Sequence, residues 1–170
     1  MHVPPHMTLD TIGFEQTRTL PALFDERCRR CPDAEAYRHW DPSGGAWKSL
    51  RWDEMRERVA HWRGALASEG FAAGERVAVM LPNGVDWVCL DQAAQSLGLV
   101  VVPLYPTDNP ESACYILADC GARLLVTEVP HWERLQPFAA ALTQLARVVC
   151  IGCDAGPAAG IVRGLEFWLD

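Results

Sequence analysis

The sequence predicts an α/β fold: a parallel sheet with helices on both faces, preceded by an N-terminal helix and a β-hairpin. Three observations carry this. Val77 to Leu81 and Leu99 to Leu104 are short apolar runs rich in β-branched residues, closed by Pro82 and by Pro103 and Pro106. Unbroken apolar runs of this length suit strands covered on both faces. Between them Val85, Val88, Cys89, Ala93 and Leu97 recur at helical spacing, with Asn83 placed to accept a first-turn N–H and Gly98 placed to end the helix. Strand, helix and strand in that order form a right-handed crossover within a parallel sheet. Helical and strand patterns then alternate to Ile151, which extends the same architecture.

Taken in order, residues 1–19 carry two adjacent prolines and no clear period, and read as an extended lead-in to a domain over residues 20–170. Leu20 to Arg30 puts Leu20, Leu23, Phe24, Arg27 and Cys28 on one helical face, with Pro32-Asp33 as the stop. Glu35 to Trp40 and Trp47 to Trp52 alternate as strands, and Asp41-Pro42-Ser43-Gly44-Gly45 supplies a tight reversal between them. From Asp53 to Ser68 the apolar positions Met55, Val59, Trp62 and Leu66 step by four, three and four, so a helix is predicted there, ended by Gly70. After the central unit, Asn109 to Asp119 has Ala113, Ile116, Leu117 and Cys120 on one face, and Gly121 breaks it before a strand at Arg123 to Val126. Trp132, Leu135, Phe138, Leu142 and Leu145 form an amphipathic stretch that Pro137 splits or kinks. Val148 to Ile151 is the fourth parallel strand, Gly152 to Gly164 a loop, and Leu165 to Leu169 a short final segment. The strands at Val77 to Met80, Leu99 to Val102, Leu124 to Val126 and Val148 to Ile151 should be mutually parallel, with the hairpin apart from them or at their edge.

Composition removes several classes of function. With 170 residues, 49% of them hydrophobic, the chain can bury a real core. Fifteen basic against 22 acidic residues give a net charge of −7, the wrong sign for affinity through phosphate neutralisation on nucleic acid. No apolar run approaches the roughly 20 residues of a bilayer span, and Met1 to Asp10 lacks the regions of a signal peptide, so a cytoplasmic protein is expected. Seven scattered cysteines suit reduced thiols better than a disulfide framework.

No motif with its own chemistry stands out. Cys28-x-x-Cys31 and Cys150-x-x-Cys153 could together supply four thiolates for zinc, but zinc ribbons bring their pairs within about 15 to 20 residues, and structural thiols are the expectation. Neither pair follows a strand and opens a helix as a redox site would. Gly44-Gly45-Ala46-Trp47-Lys48-Ser49 echoes a phosphate loop, but Trp47 stands where a glycine must precede the lysine, and the segment reads as a hairpin turn. His2, His6, His39, His61 and His131 have no ligand spacing, while Asp53 and Glu54 suit the start of a helix. The best candidate is the loop Pro103-Leu104-Tyr105-Pro106-Thr107-Asp108, because ligands of open α/β sheets gather beyond the carboxyl ends of strands. Its structural alternative is a proline-stiffened turn. The residues alone assign no catalytic, cofactor-binding or metal site.

Over Leu20 to Ile151 the chain resembles the amino-terminal part of the adenylate-forming acyl-CoA synthetases, nearest the long-chain fatty acid type. The resemblance rests on Ala36-Tyr37-Arg38 leading to Trp47-Lys48-Ser49-Leu50-Arg51-Trp52-Asp53-Glu54-Met55, on Gly74-Glu75-Arg76-Val77-Ala78-Val79-Met80-Leu81-Pro82-Asn83, and on Gly98 to Tyr105 followed by Tyr115-Ile116-Leu117-Ala118-Asp119-Cys120-Gly121-Ala122. It implies a parent enzyme that activates a fatty acid with ATP and Mg2+ as an acyl-adenylate and passes the acyl group to coenzyme A. The pyrophosphate leaving group would be held by a glycine- and hydroxyl-rich loop, a lysine and magnesium. The family's phosphate loop, adenine-binding aromatic motif, ribose-binding aspartate and carboxy-terminal lysine all lie beyond the matched region, and Lys48 is the only lysine here. The chain is therefore expected to be a fragment, inert alone, whose partner is the remainder of its own AMP-binding domain.

Two positions depart from the family pattern. Arg51 stands where a Thr or Ser usually caps the next helix, and Ser96-Leu97-Gly98 replaces Lys-Ala-Gly before a strand. Two other readings stay open, a fatty acyl-AMP ligase that loads a carrier protein and a non-catalytic α/β binding or interaction module.

Overall fold

The computed structural model describes residues 10–41, 43–156 and 160–170. The first half of the lead-in, one residue of the hairpin turn and the middle of the loop from Gly152 to Gly164 lie outside them. Helix α1 (Leu20–Arg30) starts where the Thr19 hydroxyl accepts the Ala22 N–H, with Pro21 in the first turn. Strands β1 (Glu35–Asp41) and β2 (Ala46–Arg51) form an antiparallel hairpin that is a sheet of its own, as expected. Helix α2 (Trp52–Ser68) buries Met55, Val59, Trp62 and Leu66, the four positions its period singled out.

The main sheet contains β3 (Arg76–Met80), β4 (Val100–Pro103), β5 (Ala122–Glu128), β6 (Arg147–Ile151) and β7 (Val162–Gly164). Their order is β4-β3-β5-β6-β7 and every neighbouring pair is parallel. Connections run through α3 (Val85–Ser96), α4 (Pro110–Asp119) and α5 (Val129–Leu135), the last followed by a 3₁₀ turn over Gln136–Ala141 where Pro137 ends the α-helical ladder. Helix α6 (Leu165–Leu169) closes the described chain.

Strand period divides the core into two layers. Val77, Val79, Leu124, Val126 and Val149 face the layer built by α1, α2, α3 and α6, whereas Ala78, Met80, Leu125, Val148 and Cys150 face α4, α5 and the 3₁₀ turn. Apolar burial on both faces is what removes alternation from the strand sequences.

Four details differ from the sequence expectation. The N-cap of α3 is Gly84, not Asn83, and no side chain caps it. Leu20 and Leu23 remain 59% and 39% exposed, because α1 buries only the narrow stripe of Phe24 and Cys28. In α4 it is Cys114 that is buried with Ala113 and Leu117, while Ile116 is at the surface. Finally, β7 forms inside the stretch read as loop, pairing with β6 through Val162, Arg163 and Gly164.

Candidate functional site

Strand order reverses between β3 and β5: β3 runs into α3 on one face of the sheet, and β5 into α5 on the other. In doubly wound sheets the crevice at this point, outside the carboxyl ends of the strands, is where ligands bind. Near the carboxyl end of β5 stands Thr127, the one buried polar side chain among the described residues, whose hydroxyl donates to the Met80 carbonyl (3.3 Å). Beside it, Glu128 lies 3.3 Å from His131 Nε2, and His131 Nδ1 is buried without a hydrogen-bond partner among the described residues. Neither residue had a spacing that marked it, since they meet only through the turn from β5 into α5.

The loop from Pro103 to Asp108 leaves β4 at this same end of the sheet. The Tyr105 N–H donates to the Asp108 carboxylate (3.1 Å), the Asp108 N–H returns to the Tyr105 carbonyl (3.0 Å), and Arg134 of α5 donates to the carbonyls of Pro106 and Asp108. These bonds hold it as a closed turn, with the Tyr105 ring 75% exposed. It takes its expected place at the strand ends, with the Asp108 carboxylate bonded within the loop and two of its carbonyls held by Arg134.

More open space lies on the other side of β3. A cleft of about 690 Å³ separates the hairpin from the start of α3, and its walls include Tyr37, Trp40, Trp47, Arg58, Asn83 and Asp86. Trp40 and Trp47 meet edge to face at 5.8 Å, an arrangement favoured by their ring quadrupoles. Desolvation raises the Asp86 carboxyl above the usual range, opposed by the charge of Arg58. The hairpin's share in this cleft has no local signal in the sequence, because it depends on how β1 and β2 fold back over α2 and α3.

The remaining candidates are dispersed. Cys28 packs in one core layer and Cys150 in the other, and burial pushes their thiols up to about 11 and about 12. Lys48 is held 2.6 Å from Asp41 in the hairpin. No cluster of three His, Cys, Asp or Glu side chains able to hold a metal occurs among the described residues. A triphosphate with its magnesium does not fit such a donor set, since the one lysine is paired and glycine-loop N–H donors are lacking among these residues.

The family model for AMP-binding enzymes matches residues 24–165, a span that takes in every strand of the parallel sheet. The chain belongs to the AMP-binding enzyme family. It is 35% identical over 108 residues to the long-chain-fatty-acid–CoA ligase FadD13 of Mycobacterium tuberculosis, covering 64% of this chain and 21% of that one. It is 32% identical over 115 residues to tyrocidine synthase 3 of Brevibacillus parabrevis, covering 68% of this chain and 2% of the relative. In three dimensions it matches the anthranilate CoA ligase AuaEII in complex with anthranoyl-AMP at a TM-score of 0.75 and 21% identity, over 88% of this chain and 27% of that one. The chain thus spans about a quarter or less of each of these relatives. The five-stranded sheet is the amino-terminal subdomain of the adenylate-forming fold.

Proposed function

We propose that this chain is the amino-terminal scaffold of an ATP-dependent acid–thiol ligase that converts a long-chain fatty acid to its acyl-adenylate and then to the coenzyme A thioester. The observation that carries the reading is the unbroken family match over residues 24–165, and similarity to FadD13 supports a fatty acid as the acid. In this reading ATP, Mg2+ and coenzyme A belong to the whole enzyme, and the chain contributes the sheet and the Tyr105 loop at its carboxyl edge. The remainder of the AMP-binding domain supplies the phosphate-holding groups. A second reading, transfer of the acyl group to a carrier protein, is supported by similarity to tyrocidine synthase 3.

The test has two arms. The product of the complete gene is assayed for fatty-acid-dependent pyrophosphate exchange, then for thioester formation with coenzyme A and with a carrier protein in parallel. Coenzyme A thioester is expected; thioester on the carrier alone would favour the second reading. No exchange with any carboxylic acid, from a folded full-length product, would leave only a binding module.

A further inference from the structure

Most of the hairpin formed by β1 and β2 lies off the core. Its base packs there through Ala36, Tyr37 and Leu50, while every other residue of β2 is exposed. Two strands alone are marginal in water, yet this pair carries Trp40 and Trp47 toward its far end, 51% and 67% exposed. Antiparallel strands direct alternate N–H and C=O groups to either side. Strand β1 pairs with β2 alone, and among the described residues no other backbone group bonds to its opposite edge. Residues Tyr37 to Trp40 form one wall of the cleft of about 690 Å³, and Val85 and Val88 of α3 line the other. The four residues along it make about 13 Å of strand. Arg58 and Asp86 bring both signs of charge to the cleft, so it selects neither an anion nor a cation. It offers instead a row of unpaired backbone groups between aromatic and aliphatic walls.

We propose that the cleft receives an extended strand from the remainder of the AMP-binding domain, paired edge to edge with β1. This rests on reading the chain as the scaffold of a longer enzyme. Strand addition takes its affinity from main-chain hydrogen bonds and its fit from alternate side chains. The free edge of β1 supplies the first, and Trp40 and Val88 beside it supply the second. The hairpin lies inside the family match over residues 24–165, and the chain spans 21% of FadD13, so most of such an enzyme is left to provide the strand. Covalent connection to that part raises its effective concentration at the cleft. A second copy is a poor occupant, because its own β1 edge lies across the same cleft from its own α3. The edge of β4 is a weaker site, since Pro103 fills one of its four positions and has no N–H to give.

The experiment compares residue-resolved amide hydrogen exchange in the 170-residue chain and in the product of the complete gene. In the 170-residue chain only every second β1 amide should be slow, those bonded to β2. In the complete product the intervening amides should slow by about tenfold or more, so that protection runs unbroken along Tyr37 to Trp40. Trp40→Ser in the complete product should return those amides to fast exchange while the β3 amides stay slow, which reports that the fold is kept. The proposal is overturned by equal β1 exchange in the two proteins, by new protection at β4 without any at β1, or by protection that survives Trp40→Ser. It is overturned too by a reading frame that stops at Asp170, or by protection in the 170-residue chain that grows with concentration, the mark of a second copy. A folded complete product that protects β1 but shows no pyrophosphate exchange would remove the ligase reading and leave this one standing.

Discussion

At the scale of single residues, Glu69 does the most to join distant parts of the chain. One carboxylate oxygen accepts both Arg147 Nε of β6 (2.7 Å) and Trp168 Nε1 of α6 (2.9 Å), and the side chain is only 11% exposed. Two elements from the end of the sequence are thereby fastened to the close of α2. Removing one partner of a buried ion pair strands the other, although Arg147 keeps 21% of its side chain in contact with solvent, which softens the penalty. Glu69→Ala should cost about 2 kcal/mol, read as a lower urea midpoint at an unchanged slope. Glu69→Gln keeps an acceptor for the indole and should cost less. On the other side of the molecule, hydrogen bonds from Arg29 and Arg30 draw the Glu26 carboxyl down to about 2. Because the folded value is the lower one, the stability from that cluster is present above the ordinary carboxylate range and is lost as pH falls toward 2.

At the scale of elements, the start of α2 shows how an unusual residue is accommodated. Arg51 has no acceptor to offer as an N-cap. Its own N–H instead donates to the Glu54 carboxylate (2.7 Å), and the Glu54 N–H donates to Asp53 (2.8 Å), so neighbouring acids supply what a Ser or Thr would. Glu54→Ala should therefore cost about 1 kcal/mol, whereas Arg51→Ser should gain less than that, since the cap already exists; thermal midpoints of the two variants check both. The fragility of β7 has another origin. A Cβ at Gly164 would overlap the Cys153 carbonyl, and the Gly164 N–H donates to Ala155 (2.7 Å), so this backbone approach tolerates no side chain. Gly164→Ala should detach β7 and speed hydrogen exchange at its amides ahead of those in β6.

The same elements show what could be read in advance. Strands β3, β5 and β6 were legible because burial on both faces writes an apolar run, the edge strand β4 because its valines stay apolar although Val100 is 47% exposed, and α2 because burial on one face writes a period of 3.6. The three residues of β7 carry neither pattern, and Gly164 within it and Gly160 before it read as loop. Asn83 was the better cap by residue preference, but the chain gives the position to Gly84 and turns Asn83 toward the cleft. The Tyr105 loop was found by a rule of topology. The cleft under Trp40 and Trp47, like the meeting of Glu128 with His131, depends on tertiary folding that no local window contains.

At the scale of the whole molecule, five parallel strands carry helices on both faces, and the one lysine is already paired with Asp41. The chain alone should therefore show no fatty-acid-dependent pyrophosphate exchange above a heat-killed control. Loss of a single transition-state donor already removes about 3 to 4 kcal/mol of stabilisation. Exchange by the isolated chain would place catalytic groups within these 170 residues. The strand order has one more consequence, for synthesis. Strand β3, one in from the edge, is the first of the described sheet to leave the ribosome, and β4 and then β5 emerge to flank it through one crossover each. From β3 the described strands can add one after another while translation continues. Within the described residues each strand after β3 joins a neighbour already synthesised, and the three-residue β7 adds beside β6.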